Sequence, residues 1–132
     1  RQNRSQLVRI PMVKGDNCRM ELRSPDPACN PYLAIGLVLA AGLDGIEHRM
    51  VLQPPVNKNL FRPGEAEGLG LEMLPATLEE AVAIAEESDF LHKVLPEELS
   101  RRYFAEERAR CEALRAAADP AEYERIHYFN AI

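Results

Sequence analysis

The chain has 132 residues, 46% hydrophobic and 28% charged, with ten prolines and seven glycines. That composition suits one domain of modest core and excludes a disordered tail, while the uncharged apolar stretch Pro31–Leu43, entered through Pro31, is well short of the roughly 20 residues a membrane-spanning helix needs. The net charge of −5 conceals an asymmetry, with six Lys/Arg against three Asp/Glu in residues 1–30 and ten against eighteen in residues 31–132; with no Trp and few aromatics near the basic end, a small anionic ligand fits better than nucleic acid.

In chain order, Leu7, Val8, Ile10 and Met12 mark a first strand within 5–12, and Arg19, Glu21 and Arg23 alternate with Met20 and Leu22 in a second, over 18–23. The short turn-forming connector Val13-Lys14-Gly15-Asp16-Asn17 joins them as an antiparallel hairpin. Ser24-Pro25-Asp26-Pro27 reads as an ordered extended loop in which Asp26 braces the chain. Asn30 is a good N-cap and Pro31 a tolerated first-turn residue, so a helix runs from about Pro31 to His48. It is apolar nearly all round through Leu43 and is therefore expected to be buried, with Asp44 capping or pairing locally.

Gln53 to Leu74 holds three prolines and three glycines and reads as a long surface loop in contact with a partner or ligand. Thr77 and Glu80 form a capping box for a short helix to Glu87. Ser88 caps another turn over 89–95. Pro96 opens a long helix to about Ala118, with Leu99, Tyr103, Phe104, Cys111 and Leu114 on or near its packing side. Asp119-Pro120 starts a last helix carrying Tyr123, Ile126, His127 and Phe129. The fold class is α+β: an antiparallel β-hairpin followed by a mostly helical portion. Its segments are 1–30 (hairpin and loop), 31–50 (buried helix), 51–75 (loop) and 76–132 (helical tail). Cys18, Cys29 and Cys111, with no C-x-x-C spacing, are expected to be buried reduced thiols of a cytoplasmic protein. No targeting segment is evident, and a start at Arg1 is expected of a piece of a longer protein.

The alternation places Arg19, Glu21 and Arg23 on one strand face, about 6.6–6.8 Å apart in succession. Arg9 shares that face if the register matches, and Arg4 lies just ahead of it. Guanidinium groups grip phosphate and carboxylate through paired hydrogen bonds. A carboxylate among them is either an ion-pair partner or a hard oxygen ligand for Mg²⁺ or Mn²⁺. His48, His92 and His127 lack metal-ligand spacing, and the Glu-rich stretches read as solvated helix faces.

The exact strings narrow this further. Asn-Arg-Ser-Gln-Leu-Val-Arg-Ile-Pro over 3–11, Arg19-Met-Glu-Leu-Arg-Ser-Pro-Asp-Pro-Ala-Cys-Asn-Pro-Tyr-Leu, Ala40-Ala-Gly-Leu-Asp-Gly-Ile and Asn57-Lys58-Asn59-Leu60 resemble the C-terminal part of the glutamine synthetase catalytic domain. The resemblance implies an ATP-dependent ligase that joins ammonia to glutamate through γ-glutamyl phosphate, using two divalent ions. By position it implies that Arg4 meets the reacting glutamate and the transferred phosphoryl group. Arg9 and Arg19 then bind ATP, Glu21 ligates metal and Arg23 holds the substrate carboxylate. It further implies other segments of the same protein as partners, a homo-oligomer, and no activity for the 132 residues alone. Two alternatives stay open: a γ-glutamyl ligase acting on another amine, and a non-catalytic module of the same build. Where adenylylated bacterial members carry the modified tyrosine after N-K-N-L, this chain has Phe61, so that control is expected to be absent.

Overall fold

The computed structural model describes residues 5–62 and 64–129. Arg4, expected at the substrate, lies outside the described residues, as does the lead-in Arg1-Gln2-Asn3. The chain divides into two units, Arg1–Glu72 and Met73–Ile132.

In the first unit, β1 (Val8–Arg9) and β2 (Glu21–Leu22) pair antiparallel with Val8 opposite Leu22 and Arg9 opposite Glu21. The Arg23 N–H donates to the Leu7 carbonyl at 3.0 Å and carries the pairing one step further. The expected hairpin is present, but with much shorter strands. A 3₁₀ turn over Gly15–Asn17, begun by Gly15 at φ 66°, occupies the middle of the connector. Asp26 braces its loop as expected, its Oδ1 accepting from the Ala28 N–H at 2.8 Å.

Helix α1 spans Pro31–Glu47. Asn30 caps it, the side-chain oxygen accepting from the N–H groups of Tyr32 (3.0 Å) and Leu33 (3.3 Å), two of the four amides that a helix start leaves unpaired. At the other end Arg49 takes a left-handed φ of 49°. Its N–H donates to Ile46 at 3.1 Å and the Met50 N–H to Gly45 at 2.9 Å, the paired bonds that close many helices. Asp44 pairs locally, 3.1 Å from His48 Nδ1.

The expectation of a buried helix is not met within this chain. No α1 residue is buried, and Tyr32, Ile35, Leu39, Leu43 and Ile46, which recur at helical spacing along one stripe, are 62–87% exposed. The apolar sequence specifies what the helix needs to pack against, and among the described residues of this unit no such layer covers it. The segment from residue 51 to the end of the unit is irregular, as expected of the loop.

In the second unit, α2 spans Leu78–Glu86, α3 Asp89–Val94, α4 Glu97–Ala116 and α5 Pro120–Glu124, followed by a π-helical turn over Arg125–Phe129. The Thr77 hydroxyl accepts from the Glu80 N–H at 3.2 Å, and the Glu80 carboxylate accepts from the Ala76 N–H at 2.8 Å. The box thus closes one residue earlier than its usual form. Ser88 and Asp119 cap α3 and α5 as expected.

Helices α2 and α4 pack together. Glu79 meets Arg115 at 2.5 Å and Glu86 meets Arg108, so positions advancing along one helix retreat along the other and the pair is antiparallel. Val82 and Phe104 form the buried apolar core, with Tyr103 set edge-on against Phe104 at a ring separation of 5.9 Å. The buried side of α4 meets the expected one in part, with Phe104 buried and Cys111 and Leu114 half-buried. Ser100 and Glu107 are buried with Phe104, whereas Leu99 and Tyr103 stand exposed at the margin. Both buried polar residues find partners on their own helix, Ser100 Oγ donating to the Pro96 carbonyl and Glu107 pairing with Arg110 at 2.8 Å.

Candidate active site

The hairpin register decides the site. Directly opposed residues of an antiparallel pair project to the same side, so Arg9 joins the face already shared by Arg19, Glu21 and Arg23. Glu21 stands at its centre. Its Oε2 accepts from Arg9 Nη1 at 2.8 Å and lies 3.7 Å from Arg23 Nη2, while Oε1 accepts from Arg19 Nη2 at 3.2 Å. Arg19 also donates to the Asn17 carbonyl at 3.3 Å, which ties it to the 3₁₀ turn.

Arg9, Glu21 and Arg23 have side chains 26–29% exposed and Arg19 is 53% exposed, so the cluster is open to solvent from the Arg19 side. Partial desolvation pushes the Glu21 carboxyl up, and the hydrogen bond and charge of Arg9, aided by Arg19, outweigh it and hold the group below its ordinary value. Three guanidinium groups around one carboxylate leave a formal surplus of two positive charges. Such an array suits an anion with several oxygens, which guanidinium forks engage in pairs.

Four of the five residues singled out in the sequence are thus brought together; Arg4 lies outside the described residues. A hard divalent cation takes six or more oxygen ligands, and among the described residues no group of three or more His, Cys, Asp or Glu stands close enough to hold one. Glu21 fits one ligand's share of such a centre, and the described residues do not fit the whole.

Sequence reasoning missed the join between the lead-in of β1 and the later loop. Ser5 Oγ accepts from the Leu60 N–H at 2.9 Å, and the Gln6 side chain donates to the Val56 carbonyl. Two polar residues ahead of a strand carry no periodic signal of a partner fifty or more positions away. The cysteines are free as expected but not buried: Cys29 and Cys111 are half-buried, and Cys18, just past the hairpin turn, is exposed. His48 and His127 make local contacts, the latter stacked on Tyr123 at 3.9 Å.

Comparison with known proteins places the chain in a family. The family described as glutamine synthetase, catalytic domain, matches residues 1–126. A glutamine synthetase of Methanosarcina mazei is 41% identical over 126 residues, covering 94% of this chain and 28% of the relative. One of Methanocaldococcus jannaschii is 42% identical, covering 87% of this chain and 26% of the relative. One of Staphylococcus aureus is 35% identical, covering 96% and 28%. The chain therefore spans little more than a quarter of the length of these curated relatives. Matched almost from end to end by the catalytic-domain family, this chain belongs to the glutamine synthetase family.

Proposed function

We propose that the protein to which this chain contributes uses ATP to join ammonia to glutamate, making glutamine. A side-chain carboxylate oxygen of glutamate attacks the γ-phosphorus of ATP, the bond to the bridging oxygen breaks and ADP leaves. Ammonia then attacks the carbonyl carbon of the resulting γ-glutamyl phosphate, phosphate departs with the C–O electron pair, and the nitrogen loses a proton. Phosphoryl transfer of this kind depends on positioning and charge neutralisation more than on covalent help from the protein.

In this reading Arg9 and Arg19 bind the ATP phosphates, Arg23 holds the substrate carboxylate, and Arg4 meets the glutamate and the transferred phosphoryl group. Glu21 keeps the guanidinium groups gathered and is this chain's ligand to a divalent ion, Mg²⁺ or Mn²⁺. When bound, that ion adds further neutralisation of phosphate charge. The other ligands would come from elsewhere in the protein, so the 132 residues alone are expected to be inactive, and a homo-oligomer is the expected working form.

The observation that carries the reading is the gathering of Arg9, Arg19 and Arg23 around Glu21 on one hairpin face in a chain of this family. The test is product analysis of the full-length protein with ATP, glutamate and ammonia. Glutamine is expected from the wild type, with Arg9→Ala raising KM for ATP and Arg23→Ala raising KM for glutamate. A γ-glutamyl product formed only with another amine would redirect the assignment. Absence of any product across amines would end it, as would glutamine made by the 132-residue chain end the claim that it is incomplete.

A further inference from the structure

Two hydrogen bonds run from the lead-in of β1 to a loop some fifty residues later: Leu60 N–H to Ser5 Oγ at 2.9 Å, and the Gln6 side-chain amide to the Val56 carbonyl. The loop is locked beside that junction. The Phe61 N–H donates to Asn59 Oδ1 at 3.2 Å and the Arg62 N–H to the Asn59 carbonyl at 3.1 Å. Meanwhile β1 is only two residues long, and a two-stranded ladder is marginal support in water. Ser5 follows Arg4 directly and Gln6 stands three residues before Arg9. The 5–9 segment, which carries Arg9, is therefore fastened at one end by the ladder and at the other by two side chains reaching the 56–61 loop.

We propose that Ser5 and Gln6 are positioning residues whose bonds to the 56–61 loop hold the 5–9 segment, and with it Arg9, in place for its anionic ligand. The proposal rests on the reaction proposed above and adds to it a dependence on a distant loop. Fastening the segment beforehand removes ordering cost when the phosphates bind, and it fixes the Arg9 guanidinium to the accuracy that in-line transfer demands.

The experiment uses the full-length protein and its variants Ser5→Ala/Gln6→Leu and Ser5→Thr, the latter keeping the hydroxyl. Peptide-level hydrogen exchange is measured over 5–9, 56–61 and α1, alongside kcat and KM for γ-glutamyl hydroxamate formation from ATP, glutamate and hydroxylamine. In the double variant exchange is expected to rise roughly tenfold over both 5–9 and 56–61 and to stay unchanged in α1. Its kcat is expected to fall roughly ten- to a hundredfold with KM for hydroxylamine unchanged, and Ser5→Thr is expected to match the wild type in both readouts. A double variant whose 56–61 loop is freed while 5–9 stays protected, or whose kcat holds, overturns the proposal, as does a general rise that includes α1. Were the wild type to form no γ-glutamyl product, the assigned reaction would fall by itself, and the tether would stand or fall on the exchange.

Discussion

Glu21 is the residue on which the hairpin's charge balance turns. With its carboxyl held below the ordinary value of 4.5, folding favours the ionised form. The stabilisation it gives is therefore fully present above the unfolded carboxylate pKa and fades as pH falls through the lowered folded value. Protection of the hairpin amides should weaken below about pH 4.5 in the wild type, and in Glu21→Gln it should be weak at neutral pH with little further loss on acidification. A variant as acid-sensitive as the wild type would refute the role given to this carboxylate. For the reaction proposed above, the same substitution in the full-length protein should lower kcat/KM by about a hundredfold or more, since it leaves three guanidinium groups mutually repelling at the site. Phe61, exposed and without a phenolic oxygen, offers an adenylyltransferase no acceptor. Incubation with the transferase and labelled ATP should leave this loop unlabelled, and labelled AMP recovered from it would contradict the expectation. Arg9, Arg19, Glu21 and Arg23 were legible in the sequence because strand alternation and short turn chemistry act locally. The Ser5 and Gln6 bonds were not, because nothing near those residues encodes a partner at position 56 or 60.

At the level of the elements, the helix starts were the most legible feature. Asn30, Thr77, Ser88 and Asp119 all receive backbone N–H groups as capping chemistry requires. Replacing Asn30 by Ala leaves two amides of α1 without their acceptor and should cost about 1 kcal/mol, read as a lowered denaturant midpoint of the full-length protein. No change in that midpoint would show that tertiary packing, and not the cap, sets the start of α1. The strands were over-read: apolar residues over 5–12 suggested a longer ladder than the two paired positions observed, since pairing length depends on neighbouring strands that local pattern cannot count. The packing side of α4 was legible in part: Phe104, Cys111 and Leu114 lie along it. Hydropathy favours Leu99 and Tyr103, whereas Ser100 and Glu107 are buried because each is satisfied by its own helix.

For the whole molecule, the decisive fact is the bare apolar stripe of α1. Surfaces of this kind on a soluble chain mark places where something else packs. The 132-residue chain on its own should self-associate, giving dimers or larger species in sedimentation velocity, and Leu39→Glu should shift the distribution toward monomer. A wild-type chain that sediments as a single monomer at all concentrations tested would remove the basis for this. No helix among the described residues is long and apolar enough to cross a membrane.

The way α1 ends has its own consequence. Arg49 occupies a backbone region that crowds an L-residue's Cβ, at a penalty of about 1–2 kcal/mol, although Met50, Val51 and Leu52 beyond it are as apolar as the helix. Greasiness therefore does not dictate where the rod stops; a single torsion does. Glycine at 49 would relieve the crowding and make the terminus sturdier, whereas a β-branched replacement would set steric pressure against the exit itself. The boundary between rod and ribbon is in this sense an adjustable parameter, governed by one exposed position.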